Sequence, residues 1–129
     1  MKFVLSHQRK EDGTNGIERR ECTRILKYKG LFFAACPNRF NGSRPYNYDI
    51  LEVSSGLKIT QVTRLKDGYP YIRDSFYMIT KQLKTPYIMK MMKEIHEYAA
   101  MNGELDLIID METVFNSLRE MGILATVLI

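Results

Sequence analysis

The hydrophobic period of this 129-residue chain changes once, near residue 65, and that change limits the folds open to it. Before it, apolar residues alternate or come in short blocks, the spacing of strands. After it they recur every three or four residues, the spacing of amphipathic helices. Strands first and helices after is the pattern of an α+β protein. The expectation is a small antiparallel sheet, a meander of four to five strands, followed by two to three helices packed on it. The length suits one domain spanning 1–129, strand-rich over 1–65 and helix-rich over 72–122.

The strand half is punctuated by turn residues. Met1–Ser6 begins with alternating Phe3 and Leu5, a first strand. His7–Glu21 holds an Asn-Gly pair and nearly balanced charges, which reads as a solvated loop or hairpin tip. Thr23–Tyr28 alternates, Lys29-Gly30 makes a turn, and the unbroken apolar run Leu31–Cys36 suits a buried central strand. Pro37–Tyr46 is a loop. Asn47–Val53 and Leu57–Thr63 are two more strands, joined by Ser54-Ser55-Gly56, whose glycine suits the positive φ of a tight hairpin.

In the second half Asp74 is the expected N-cap of a short helix running to about Lys84. Thr85-Pro86 starts a second helix, since proline at the first helical position gives up an N–H that had no partner. Its stripe is Ile88, Met91, Met92, Ile95 and Ala99, and Asn102-Gly103 ends it. A third runs from Asp110 to Met121, with Gly122 as its stop.

The composition excludes several classes. An apolar share of 45% with 26% charged residues belongs to a globular chain rather than a disordered one. The longest largely apolar stretch, Ile123–Ile129, is far short of the ~18 residues of a membrane span, and the start lacks the pattern of a signal peptide. With two cysteines, Cys22 and Cys36, the reading is free thiols in a cytoplasmic protein. The net charge of +4 is uneven: residues 1–64 carry twelve Lys and Arg against six acids, and residues 65–129 seven against nine. Seven of nine arginines lie in the first half, where an anionic partner is expected. The charge is modest and no lysine-rich stripe exists, which argues against nucleic acid.

No enzyme signature is complete. There is no Gly-x-Ser-x-Gly elbow and no phosphate loop. His96-Glu97 opens like a zinc-protease helix, but Ala100 stands where the second histidine belongs. Cys22, Cys36, His7 and His96 match no compact zinc spacing. Glu104, Asp106, Asp110 and Glu112 cluster, yet acids at a helix start are favoured by its dipole alone. The expectation is therefore no catalytic residues, no metal and no cofactor. Met89, Met91, Met92 and Met101 put more apolar surface on one helix than a single stripe can bury, which points to a homo-oligomer.

What remains is arginine with aromatics. One group is Arg39, Phe40, Arg44 and Tyr46; the other is Tyr69, Tyr71, Arg73, Phe76 and Tyr77 at a helix start. Aromatic faces stack on bases, and guanidinium forks and helix N-termini hold phosphates, the needs of a nucleotide ligand. The candidate ligand-binding residues are Arg24, Arg39, Arg44, Arg73, Phe76 and Tyr77. The same residue types also populate protein interfaces.

The stretches Lys27-Tyr28-Lys29-Gly30-Leu31-Phe32-Phe33-Ala34 and Ile50-Leu51-Glu52-Val53-Ser54-Ser55-Gly56-Leu57-Lys58-Ile59 resemble small phage-encoded accessory proteins. In layout they are most similar to the first described type of anti-Thoeris signal-sequestering sponges. The resemblance covers about residues 23–100. It implies an oligomeric sheet-and-helix protein that traps cyclic nucleotide signals, cyclic ADP-ribose isomers or cyclic oligonucleotides, without degrading them. No ligand-binding residue carries over. The alternative is a small protein inhibitor that blocks a macromolecular complex through protein–protein contact, as anti-CRISPR proteins do.

Overall fold

A computed structural model of the chain describes residues 2–9, 11–38, 47–103 and 105–123. It has the α+β layout: six strands, then three helices. Strands β1 (Phe3–Arg9) and β2 (Asn15–Glu21) pair antiparallel as a two-stranded sheet. Strands β3 (Arg24–Tyr28), β4 (Leu31–Pro37), β5 (Tyr48–Glu52) and β6 (Leu57–Val62) follow as a four-stranded meander in chain order.

The segment His7–Glu21, expected to be a solvated loop or hairpin tip, holds the tip of this hairpin, but strand extends further into it on both sides than expected. The hairpin strands run through the charged residues, pairing His7 with Ile17 and Leu5 with Arg19. Val4 and Leu5 are buried while the described side chains of β2 are half-buried or exposed, so charge is tolerated where periodicity gave no strand signal. Asp12 closes the turn by accepting from the N–H and hydroxyl of Thr14, at 2.9 and 2.6 Å. The segment after α2 adds to β1: Phe3 N–H donates to Asp106 O at 2.9 Å and Ile108 N–H to Phe3 O at 2.8 Å.

The meander is pinned by its turns. Tyr28 faces Leu31, leaving Lys29 and Gly30 as a two-residue turn with φ of 45° and 92°, the double positive pattern that matches strand twist. The hydroxyl of Ser117 donates to Gly30 O at 2.6 Å, tying the turn to the last helix. At the β5–β6 turn, Gly56 has φ 70°, and a Cβ there would stand 3.1 Å from Leu5 O. That close approach holds the hairpin against the meander, with His7 N–H donating to Gly56 O at 3.3 Å.

Residues opposite each other in a ladder share a face. Leu26, Phe33 and Glu52 therefore lie on one side, and Ile25, Ala34 and Leu51 on the other. Strand β4 is buried on both sides, as its continuous apolar run requires.

Helix α1 (Gly68–Leu83) begins six residues earlier than the Asp74 cap expected from sequence. Pro70 falls in its first turn, where the missing N–H is harmless, and a single 3₁₀ turn (Leu65–Asp67) leads into it. Gly68 lets the helix start lie on the sheet, since a Cβ would come 3.2 Å from Ile50 and 3.4 Å from Leu26. Helix α2 (Pro86–Met101) starts at its proline and buries Met91, Met92 and Ile95. Helix α3 (Met111–Glu120) is capped by Asp110, whose side chain accepts from Glu112 N–H at 3.3 Å. Phe33, Phe115, Leu31, Ile72, Met92 and Leu118 are among the side chains sealed in the shared core, each contributing about 1.5–3 kcal/mol of burial. Among the described residues no helix is long and apolar enough to cross a membrane.

Candidate functional site

The flank of α1 that faces the β3–β4 turn carries a cluster of three rings. Tyr28, from the end of β3, meets Tyr69 edge-on at 5.5 Å and Phe76 at 5.1 Å. Positions 69, 73, 76 and 77 share this flank because a helix turns about 100° per residue. Lys29, held in the tight turn, sets its ammonium 5.5 Å from the Tyr28 ring and 5.9 Å from Phe76. Arg73 stands close enough to feel the Tyr28 and Tyr69 oxygens, and pairs with Asp74 at 3.0 Å. That hydrogen bond, then the Asp74 charge, and then the two tyrosines raise the guanidinium pKa above its usual value.

The candidate residues divide accordingly. Arg73 and Phe76 are in the cluster, Phe76 half-buried and Arg73 exposed. Tyr77, next to them, is 77% exposed with the Lys81 ammonium 6.0 Å from its ring. Arg24 is exposed and shares a face of β3 with Leu26 and Tyr28, but four residues of strand put it about 13 Å from Tyr28. Arg39 and Arg44, with Phe40 and Tyr46, lie outside the described residues; the flanking Asn38 and Asn47 bond each other, N–H to O, at 2.9 Å. Sequence reasoning grouped Tyr69 with Phe76 but missed Tyr28 and Lys29 as their partners. The Lys29-Gly30 turn was visible, but the packing of α1 over it was not.

None of the ring cluster lines either of two clefts formed by described residues. The larger, about 900 Å³, lies between the hairpin and the meander. Its floor is Arg20 on Asp49 at 2.5 Å, with Gln61 and Asn38 donating to the other Asp49 oxygen at 2.9 and 3.4 Å. Arg19, Lys58, Glu18 and Glu21 complete a lining of three cations and three carboxylates. This charge cluster escaped notice because His7–Glu21 had been read as a solvated loop or hairpin tip, with no β2 strand to carry Glu18–Glu21.

The smaller cleft, about 400 Å³, lies between α2 and α3 and is edged by His96, Asp106, Asp110 and Glu112. His96 approaches Glu112 at 3.3 Å and packs edge-on to Phe115 at 4.9 Å. Its acids repel a phosphate.

Cys22 and Cys36 are free and buried. Their mutual hydrogen bond is the first cause pushing the Cys22 thiol down and the Cys36 thiol up. The Cys22 thiol also donates to Arg24 O at 3.3 Å. Among the described residues no group of three or more His, Cys, Asp or Glu is arranged to hold a metal.

Compared with protein-family models, curated proteins and solved structures, the chain matches none of them.

Proposed function

We propose that this chain is a non-catalytic binding protein that sequesters a cyclic nucleotide-type signalling molecule and so counters a nucleotide-signalled anti-phage defence. The observation that carries this reading is the ring cluster of Tyr28, Tyr69 and Phe76 flanked by Lys29 and Arg73. Rings that keep part of their surface open, as these do, stack bases without regard to sequence, and the adjacent cations take phosphates. Asp74 is the one acid paired there, so the surface keeps a positive surplus that the charge-balanced larger cleft and the acidic smaller one lack. A ligand that also reaches Arg24 spans about 13 Å, which favours a molecule with two bases and two phosphates over a mononucleotide.

Self-association belongs to the same proposal. Tyr77, Met78, Tyr87 and Met101 are 77%, 63%, 66% and 84% exposed, more apolar helix surface than a monomer usually leaves wet. The acting compartment on this reading is the host cytoplasm.

A second reading has its own support. The ring cluster lines neither of the two clefts formed by described residues and continues into exposed Tyr77 and Met78, the composition of a protein-docking surface. On that reading the chain blocks a macromolecular complex by direct contact.

Calorimetry with cyclic dinucleotides and cyclic ADP-ribose isomers separates the two. Arg73→Ala should weaken nucleotide binding about tenfold, because a charge-assisted hydrogen bond is lost. Phe76→Ala should weaken it without a matching loss of melting temperature in the free protein. Binding of none of these nucleotides would leave the inhibitor reading in first place.

A further inference from the structure

Ser6 is 4% exposed, lines the 900 Å³ cleft, and has no hydrogen-bond partner among the described residues. Every buried side-chain oxygen among the described residues has a partner, so the Ser6 hydroxyl is an accessible group of the cleft lining. Lys58, exposed on β6 in the same lining, has no ion-pair partner among the described residues. The neighbouring charges are already engaged. Arg20 is held by Asp49, and Arg19 lies 4.5 Å over the Phe3 ring and 3.9 Å from Asp106. The Gln8 amide, with its nitrogen toward β2, donates to Glu18. A molecule entering this cleft therefore meets a surface near neutrality, with one spare hydroxyl and one spare cation.

We infer that the cleft binds a small polyhydroxylated molecule carrying one acidic group, a sugar acid or a sugar monophosphate. The carboxylate of Glu18 and the amide of Gln8 retain lone pairs and N–H groups suited to adjacent hydroxyls. Phe3, half-buried in the lining, offers apolar contact to the C–H face of a ring. Lys58 takes the acid. A second negative charge would meet Glu18 and Glu21, which caps the ligand at one. The volume is at the upper end of small-molecule sites, about 300–1,000 Å³. This inference is independent of the ring cluster on α1.

The test is a ¹H–¹⁵N titration of the full chain with glucuronate, glucose 6-phosphate, glucose and inorganic phosphate. Both acidic sugars should shift Ser6, Gln8, Asn38 and Lys58, and bind about tenfold more tightly than glucose, the worth of one charge-assisted hydrogen bond. Lys58→Ala should bring them down to glucose. Ser6→Ala should weaken all three sugars alike, with the rest of the spectrum unchanged in both variants. The proposal is overturned if no sugar shifts these four residues. It is equally overturned if phosphate alone binds as well as glucose 6-phosphate, or if Lys58→Ala leaves the acidic preference intact.

Discussion

Replacing Glu52 with alanine should be among the most damaging single changes available to this fold. Glu52 is 1% exposed, and Ser54 and Ser55, its partners in the β5–β6 turn, are fully buried. One carboxylate oxygen accepts from Ser55 N–H at 3.0 Å and the Ser55 hydroxyl at 2.7 Å. The other accepts from Ser54 N–H at 2.9 Å and the Ser54 hydroxyl at 2.6 Å. The hydroxyls can rotate to new acceptors, but the two backbone N–H groups cannot. Each orphaned buried donor costs about 1–3 kcal/mol. The lost methylene adds about 0.8 kcal/mol. Against this stands relief from burying a carboxylate, whose pKa is raised by desolvation before the four hydrogen bonds pull it back. The net loss should be about 3–4 kcal/mol, a large part of the ~5–15 kcal/mol a domain has. Urea unfolding measures it. Glu52→Gln is the control: its oxygen can still serve Ser55 while its NH₂ opposes the Ser54 N–H, so it should lose roughly half as much. A loss below about 1 kcal/mol for alanine would refute the claim that this carboxylate organises the turn.

Burial also gives Glu52 a pH signature. Its folded pKa is raised, so above the ordinary carboxylate value of about 4.3 the unfolded chain releases the proton that the folded chain keeps. The wild type should therefore lose stability relative to Glu52→Gln as pH rises from about 4 toward neutrality, and an opposite slope in paired urea melts would contradict the raised pKa. Alkylation of the native protein should reach Cys22, 6% exposed and with its thiol pKa pushed down, before Cys36, which is 0% exposed with its thiol pushed up; peptide mapping that finds Cys36 first would overturn the pairing. Light scattering at micromolar concentration should give at least a dimer, and a 15.1 kDa particle would remove the self-association proposal.

The fold class was legible because hydrophobic period is a local property. The Leu31–Cys36 run, the Lys29-Gly30 and Gly56 turns and the Pro86 helix start all reach the structure as read. The hairpin was legible only in part: the start of β1 and a hairpin tip were read, β2 was not. Its strands are specified by pairing across a turn and by two apolar residues, Val4 and Leu5, while Glu18–Glu21 carry no alternation of their own. The start of α1 was missed for a related reason: Gly68 and Pro70 look like breakers until the sheet beneath makes a glycine useful there. Of the candidate site, Arg73 with Phe76 was readable from helical spacing. That Tyr28 and Lys29, forty residues earlier, join them depends on how α1 lies across β3, which no local pattern records.

The most direct test of the central claim begins with the protein purified from cells that produce the signal. Its absorbance ratio at 260 and 280 nm is read, the protein is heat-denatured, and the filtrate is analysed by mass spectrometry. The account predicts that a cyclic nucleotide is released chemically unaltered, and that the Arg73→Ala protein carries much less of it. A filtrate free of nucleotide, or one containing a hydrolysed or isomerised product, would contradict it.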